Sequence, residues 1–294
     1  MTIKIHKKDL RQVYEDHQTA DREGYKLEAL LKNLEVCTNP LALREDICSI
    51  GQLYVDGIIG NDVQRIIRSI YASPESLEEW KEQKKILDAI NLAGITAMGQ
   101  FYSGEGINAR QVRGIILPYA SEIIKYGSSS LAKLRHMTPQ IDRMQKFGQF
   151  LQKYPNAIVN IDSIVAVASG GLEPAYLVAN AYGINDIAVP RYSSIGKRDS
   201  SVKLPKNAPQ GYMENYSAGK DVAVVEDTVC LGESMREVIG KVLECSPKRV
   251  VGMFVEDAAG GKGCSLVLRR FPEMAREQIN ASYEPGFFEI RGKK

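Results

Sequence analysis

The segment 221–234, with the sequence DVAVVEDTVCLGES, constrains the fold of this chain more than any other stretch. Residues 222–225 form an apolar run of the kind found in buried parallel strands, and residues 234–243 have the apolar spacing of a helix. Between them lies a short polar loop that contains Gly232. Backbone N–H groups and the positive end of the helix dipole favour an anion at such a helix start. The pattern therefore predicts a strand, a phosphate-binding loop and a helix, in that order.

Two acids, Glu226 and Asp227, end the predicted strand. Carboxylates at the carboxyl end of a parallel strand can accept hydrogen bonds from sugar hydroxyls or hold a hydrated Mg²⁺. A solvated strand end without a ligand is the alternative interpretation. The loop that follows favours a ligand, because Gly232 lets the backbone approach a phosphate and Ser234 adds a hydroxyl.

A second segment, 165–175, has the sequence VAVASGGLEPA and the same organisation. An apolar strand pattern is followed by Ser169, Gly170 and Gly171, and then by the start of a helix. Taken alone, two glycines could simply turn a strand into a helix in any doubly wound domain. Two such loops in this order, each between a strand and a helix, are more specific than either one alone.

Residues 224–234 resemble the signature with which type I phosphoribosyltransferases bind phosphoribosyl pyrophosphate (PRPP), and residues 165–175 resemble the pyrophosphate loop of that family. The resemblance covers about half of the chain, at its C-terminal end. It implies that Glu226 and Asp227 contact the ribose and a magnesium ion and are catalytic. The implied 5′-phosphate loop is Thr228, Val229, Cys230, Leu231, Gly232, Glu233 and Ser234. The implied pyrophosphate loop is Ala168, Ser169, Gly170, Gly171 and Leu172.

A third, partial match is Arg191, which follows the short apolar run 186–189. The family often places a basic residue on the pyrophosphate at this point. The polar stretch 193–219 has little apolar periodicity, and long structureless loops in compact domains are usually functional or disordered. In the family, a mobile hood in this position closes over PRPP. The resemblance therefore implies four pyrophosphate contacts, each of which could also be a solvated surface charge: Arg191, Lys197, Arg198 and Lys203.

The implied reaction is the transfer of a pentosyl group, which makes the protein a glycosyltransferase. A nitrogenous base attacks the anomeric carbon of PRPP, pyrophosphate leaves, and a nucleoside monophosphate forms. Because the transition state has oxocarbenium character, the site needs amides and cations at the leaving group and carboxylates near the sugar. The implied cofactor is Mg²⁺, held mainly by oxygens of PRPP and by water, with Glu226 and Asp227 in support. The implied ligands are PRPP and a nitrogenous base or a nucleotide.

The sequence departs from the family pattern at two loop positions. Leu231 stands where the family usually has threonine, and Cys230 stands where a polar residue is common. Two further functions therefore stay open: a nucleotide-cleaving effector enzyme controlled through the helical half, and a non-catalytic sensor of PRPP or nucleotides. Residues 251–261 resemble the strand and turn of orotate phosphoribosyltransferases, which makes Val255 and Asp257 candidates for a base pocket. That family has an arginine where Asp257 lies, and no subfamily is assigned.

The two halves of the chain have different patterns. Up to about residue 154 the apolar spacing is helical, and beyond residue 155 apolar runs alternate with helical spacing. Such alternation predicts an open, mainly parallel sheet covered by helices, and residues 265–268 are among the predicted strands. The predicted fold class is α/β: a C-terminal parallel sheet flanked by helices and preceded by an all-α domain. We place the helical domain, of unknown role, at 1–140 and the α/β domain at 141–294.

Composition restricts the partners and the compartment. The net charge of +2 gives no electrostatic case for nucleic acid, which is therefore not indicated. No apolar stretch is long enough to span a membrane, and five cysteines without a CxxC pair favour reduced thiols. We therefore expect a cytoplasmic protein. The additional helices predict a homodimer or a partner protein bound through the helical half.

Overall fold

The computed structural model describes residues 27–59, 74–127, 141–153, 160–168, 170–192, 201–260, 262–271, 275–279 and 284–291. Parts of the first half in which the apolar spacing also predicts helices, 9–21 and 62–71, lie outside these ranges. The helices of the first half are α1 (Leu27–Val36), α2 (Pro40–Ile59), α3 (Pro74–Ser103), α4 (Ala109–Ile116), α5 (Ala120–Tyr126) and α6 (Ile141–Lys153). Those of the second half are α7 (Leu172–Tyr182), α8 (Tyr212–Ser217), α9 (Glu233–Glu244) and α10 (Lys262–Leu268).

A six-stranded sheet organises the second half. Its strands are β1 (Ser163–Ala166), β2 (Ile187–Ala188), β3 (Asp221–Val229), β4 (Arg249–Asp257), β5 (Ala275–Ile279) and β6 (Gly286–Arg291). Their order in space is β2-β1-β3-β4-β6-β5. The first four strands are parallel to one another, β6 pairs antiparallel with β4, and β5 pairs antiparallel with β6. The predicted fold class, a mainly parallel sheet flanked by helices and preceded by a helical region, is confirmed.

The strand predictions succeeded where both faces of the sheet are covered. Residues 222–225 of β3 are fully buried, which is why their sequence is a continuous apolar run. The prediction of a strand at 265–268 is wrong, because these residues lie in α10. A short apolar run fits a buried strand and a buried helical turn equally well. Here the carboxylate of Asp257 accepts hydrogen bonds from the N–H groups of Gly263 and Cys264, which favours the helix.

The helices of the first half cover one face of the sheet. Buried side chains of α1 to α7 form a single hydrophobic core with Ala223, Val225 and Met253 of the sheet. The packing of α3 on α7 is close, since a Cβ on Gly94 would lie 2.4 Å from the ring of Tyr176. The boundary between residues 140 and 141 falls at the edge of a stretch outside the described ranges, so the proposed division into domains stays a prediction.

The opposite face carries a second core, formed by α8, α9 and α10 around residues such as Val224 and Phe254. Trp80, the sole tryptophan of the chain, belongs to this second core although it lies in α3. Its ring is 5.4 Å from that of Tyr212, in an edge-to-face arrangement. Helix α3 therefore contributes to both cores. The polar stretch 193–219 is not structureless throughout, because α8 lies in it with Tyr212 and Met213 buried.

A buried ion pair connects α7 to the helical layer. The guanidinium of Arg44, in α2, donates to the two carboxylate oxygens of Glu173 at 2.5 and 2.7 Å. The hydroxyl of Tyr102, in α3, donates to the same carboxylate at 2.6 Å. Since an unpaired buried charge costs several kcal/mol, the pair favours one placement of the start of α7. Glu173 directly follows the loop 168–172, so the helical layer fixes one end of that loop.

Within the described ranges, no helix is both long enough and apolar enough to cross a bilayer. The cytoplasmic location, the homodimer and the partner protein stay predictions.

Candidate active site

Two loops meet at one edge of the sheet. Strands β1 and β3 are neighbours and parallel, with Ala166 opposite Val225. Parallel neighbours end at the same edge, so the loop 168–172 lies beside residues 226–234. The structure thus brings the two predicted loops together, and their ligand stays a prediction. Three of the predicted site residues lie outside the described ranges: Ser169, Lys197 and Arg198.

Gly170 and Gly171 let the first loop approach β3. A Cβ on Gly170 would lie 2.5 Å from the carboxylate of Asp227, and one on Gly171 would lie 2.4 Å from the carbonyl oxygen of Val225. The N–H of Gly171 also donates to the carbonyl of Val167 at 2.9 Å, which closes the turn. A side chain fits at neither position unless its neighbours move. Both glycines are therefore explained by packing as well as by a ligand.

Glu226 lies on the sheet face that α9 covers. Its Oε1 accepts a hydrogen bond from the hydroxyl of Ser234, and its Oε2 is buried and has no partner among the described residues. The pKa of Glu226 is raised to about 8, chiefly by burial and also by the charge of Asp227, while hydrogen bonds from the Ser234 hydroxyl and the Met235 N–H lower it. Near neutral pH the Glu226 carboxyl is therefore mostly neutral. Because Oε1 accepts the bond from Ser234, the proton of the neutral carboxyl lies on the buried Oε2.

Asp227 points to the opposite face, toward Gly170, because successive side chains of a strand alternate. Its Oδ1 accepts a hydrogen bond from the N–H of Thr228 at 2.7 Å. The pKa of Asp227 is raised to about 6, chiefly by burial. The N–H of Thr228 lowers this pKa and the charge of Glu173 raises it, and both effects are included in that value. Asp227 is therefore mostly ionised at neutral pH, whereas Glu226 is not.

Replacing Glu226 by glutamine is expected to stabilise the protein at alkaline pH. The folded-state pKa of Glu226, about 8, lies above the ordinary carboxyl value of about 4.3, so folding favours the protonated form. This contribution to stability is complete below about pH 4 and is lost as the pH rises through about 8. Glutamine keeps the neutral shape and cannot ionise. The advantage of Glu226→Gln should therefore grow between about pH 4 and pH 8 and reach roughly 5 kcal/mol by about pH 9, since the pKa difference of about 3.7 units corresponds to about 1.4 kcal/mol per unit.

Thermal unfolding of the two proteins across the pH range measures this difference. Glu289→Gln is the control, because it makes the same chemical change far from Glu226. Glu289 pairs with Arg249 at 3.4 Å, at the other end of β4. A stability difference between Glu226→Gln and the unsubstituted protein that does not change with pH would contradict the assignment of a raised pKa to Glu226.

The predicted phosphate loop is shorter than its sequence pattern indicates. Strand β3 continues through Val229, and it pairs Thr228 with Glu256 and Val229 with Asp257 of β4. The Val229 side chain is buried in the second core. The connection from β3 to α9 is therefore only residues 230–232, and Glu233 begins the helix.

Cys230, Leu231 and Gly232 form that connection. Gly232 has a φ of 68°, in the left-handed region that favours glycine, and a Cβ there would lie 2.5 Å from Cγ2 of Val267. The thiol of Cys230 is exposed, and the side chain of Leu231 is 61% exposed. An apolar side chain cannot donate to a phosphate. A phosphate here would therefore be held by backbone N–H groups of the first turn of α9 and by Ser234.

Arg191 lies beside the first loop. Its backbone forms a parallel bridge with Ala168 and an antiparallel bridge with Lys203. Its guanidinium donates to Oδ1 of Asp56, in α2, at 2.6 Å. The sequence pattern does not mark Asp56 as a site residue, because it is 135 positions away from Arg191 in a segment with ordinary helical spacing.

The two candidates for a base pocket are buried inside the fold. Val255 belongs to the first hydrophobic core. Asp257 is fully buried, and its oxygens accept hydrogen bonds from the N–H groups of Gly263 at 3.1 Å and Cys264 at 2.9 Å. Asp257 thus caps the start of α10. Neither side chain is open to a ligand in this arrangement, and the base pocket stays a prediction.

Asp227 fits a magnesium ion better than Glu226 does. Within the described ranges, no group of three or more His, Cys, Asp and Glu side chains could hold a metal ion. Mg²⁺ usually keeps several waters and binds one or two carboxylates together with substrate phosphates. Asp227 suits this mode, because it is only partly buried and is mostly ionised at neutral pH. Glu226 is 7% exposed and mostly neutral.

Comparison with known proteins finds similar folds among solved structures. One is a purine phosphoribosyltransferase from Pyrococcus horikoshii Ot3, with 20% identity and a TM-score of 0.31 over 40% of this chain and 74% of that one. An adenine phosphoribosyltransferase has 22% identity and a TM-score of 0.30, over 48% of this chain and 74% of that one. The adenine phosphoribosyltransferase of Saccharomyces cerevisiae, complexed with an imino-altritol bisphosphate and adenine, has 23% identity and a TM-score of 0.30. The match covers 48% of this chain and 73% of that one.

No family model matches the chain, and no curated protein matches it. TM-scores of 0.30 and 0.31 carry no inference about function. The sequences of the two loops, 165–175 and 224–234, carry the family likeness instead. The C-terminal half resembles the type I phosphoribosyltransferases. Its subfamily is unassigned.

Proposed function

We propose that this protein is a Mg²⁺-dependent phosphoribosyltransferase that transfers ribose 5-phosphate from PRPP to a nitrogenous base and releases pyrophosphate. The approach of Gly170 to Asp227 is the observation that supports this most, since a Cβ on Gly170 would lie 2.5 Å from the carboxylate. An ionisable acid thus lies between the loops that lead into α7 and α9. Helix starts bind phosphate groups, so two helix starts on either side of one acid suit a sugar with a phosphate at each end.

The backbone donors bind the two ends of PRPP. The backbone N–H groups in the first turn of α9 hold the 5′-phosphate, and the hydroxyl of Ser234 joins them only if it turns away from Glu226. The loop 168–172 and Arg191 hold the pyrophosphate. Negative charge grows on the pyrophosphate as its bond to the anomeric carbon breaks, so fixed donors at this place stabilise the transition state more than the substrate.

The two acids act on the sugar in different ways. Asp227, mostly ionised at neutral pH because its pKa is about 6, stabilises the positive charge that develops on the ribose ring. Glu226 is mostly neutral because its pKa is about 8, and since Oε1 accepts from Ser234 its proton lies on the unpartnered Oε2, which would donate to a ribose hydroxyl once a local movement exposes this buried oxygen. When bound, Mg²⁺ supplies Lewis-acid neutralisation of the pyrophosphate, and Asp227 is the residue that would hold it.

Calorimetric titration of the protein with PRPP, with and without Mg²⁺, is the direct test. We expect saturable binding that requires Mg²⁺. A second assay follows pyrophosphate release from PRPP in the presence of a panel of purine and pyrimidine bases, and release should depend on one of them. A protein that binds no PRPP under these conditions would contradict the proposal.

Leu231 favours a second candidate, a non-catalytic sensor of PRPP or nucleotides. Its exposed side chain replaces a hydroxyl that the related loops direct at phosphate, so the loop can bind a ligand with fewer donors. Binding of PRPP without pyrophosphate release for any base would support the sensor. Release without an added base, or loss of the base from a nucleotide, would support the nucleotide-cleaving effector.

A further inference from the structure

We infer that Asp56, in the helical half, is a positioning residue of the proposed pyrophosphate site. The inference rests on the proposed function, because it concerns Arg191, the predicted pyrophosphate contact. Asp56 lies near the end of α2, and the carboxylate of Asp56 is the group that holds the guanidinium of Arg191. The helical layer, whose role the sequence leaves open, would then form part of the site.

The backbone of Arg191 is held on two sides. On one side it forms a parallel bridge with Ala168, the first residue of the proposed pyrophosphate loop. On the other side Arg191 and Lys203 exchange two backbone hydrogen bonds, of 2.8 and 2.7 Å. The Cα atom of Arg191 therefore has a defined position beside the loop. What remains to be fixed is the set of side-chain torsions that decides where the guanidinium lies.

Asp56 fixes those torsions. A terminal nitrogen of the Arg191 guanidinium donates to Oδ1 of Asp56 at 2.6 Å. The two side chains are 35% and 24% exposed, so the pair is shielded from water more than a surface ion pair is. A guanidinium carries five N–H donors in a rigid plane, and a contact through one terminal nitrogen leaves others to meet an anion.

The end of α2 also holds the segment that returns after Arg191. The N–H of Lys206 donates to the carbonyl of Ile58 at 2.9 Å. Farther along, the side-chain amide of Asn207 donates to Gln83 of α3 at 3.4 Å. The returning segment thus lies on the helical layer close to Asp56. One wall of the proposed pyrophosphate site is built from the first half of the chain.

The sign of the expected effect separates positioning from plain electrostatics. Asp56 is a potential anion near an anion site, so Coulomb's law alone predicts that removal of its charge tightens pyrophosphate binding. A positioning role predicts the opposite result. Without its partner, the Arg191 side chain samples several rotamers and loses that freedom when pyrophosphate binds.

Asp56→Asn is the test, because asparagine has nearly the same shape and no charge. By calorimetry with Mg²⁺, its affinity for inorganic pyrophosphate should fall about 5- to 10-fold, and its affinity for ribose 5-phosphate should change less than about twofold. In an Arg191→Gln background the same substitution should cause no further loss, since Asp56 acts through Arg191. Asp56→Ser carries the same expectations, so the test does not depend on one variant folding, and thermal melting shows which variants are folded.

Glu289→Gln serves here too as the matched control, since the Glu289 and Arg249 pair lies at the opposite end of the parallel strands. It should leave both affinities unchanged. Unchanged or tighter pyrophosphate binding by folded Asp56→Asn or Asp56→Ser overturns the inference, as does an equal further loss in the Arg191→Gln background. An unsubstituted protein that binds neither PRPP nor pyrophosphate rejects the proposed function instead.

Discussion

Replacing Asp227 by asparagine is expected to weaken PRPP binding by at least about 100-fold and to abolish pyrophosphate release, because a charge at the reacting sugar is lost. Asparagine keeps the shape of the side chain, and its amide oxygen can still accept the hydrogen bond from the N–H of Thr228 that Asp227 accepts at 2.7 Å. The fold should therefore be retained. Calorimetry with PRPP and a pyrophosphate-release assay measure the two effects.

Asp186→Asn is the matched control for this experiment. Asp186 is half exposed, pairs with Lys220 at 3.4 Å and precedes β2, at the opposite edge of the sheet. Its substitution removes the same charge from the protein and should leave PRPP binding unchanged. Full retention of PRPP affinity and turnover by Asp227→Asn would reject the placement of the site between the two loops.

Replacing Gly171 by alanine is expected to lower the free energy of unfolding by roughly 2 to 4 kcal/mol. The new Cβ would lie 2.4 Å from the carbonyl oxygen of Val225 and 2.7 Å from that of Val167. Both atoms are backbone, and the N–H of Val167 donates to the carbonyl of Val225 at 2.9 Å. Relief of the clash would therefore separate the end of β1 from β3.

Gly240→Ala is the control for the loss of a glycine. A Cβ on Gly240, in the middle of α9, would meet no atom within 4 Å. Alanine there should stabilise the protein by about 0.5 to 1 kcal/mol, since it favours the helix. Urea unfolding of both variants makes the comparison. Equal stabilities would mean that the loop is packed less closely against β3 than the structure indicates.

The strands and the two loops could be predicted from the sequence because their signals are local. An apolar run such as 222–225 is typical of a parallel strand whose two faces are both covered by helices, and the structure buries all four residues. From the sequence, the glycines of the two loops are interpreted as making room for a bound ligand. The structure adds a second reason, since Gly170 makes room for Asp227 and Gly232 makes room for Val267.

Predictions were less successful where a residue acts through a distant partner. Asp257 is a base-pocket candidate by resemblance alone, and in the structure it ends β4 and its carboxylate caps α10. The same cap explains why residues 265–268 are helical, although their apolar run also fits a strand. The capping bonds form only once β4 and α10 are packed together.

By itself, the sequence determined the α/β fold class, the parallel strands and the two loops, because apolar periodicity and glycine placement act over a few neighbouring residues. Only the tertiary structure decided that the helical half forms one face of the core, that Asp56 holds Arg191, and that Glu226 has a buried oxygen without a partner among the described residues. These features depend on burial and on contacts between segments far apart in the chain. Sequence spacing does not encode them, since they arise from how the elements are placed against one another.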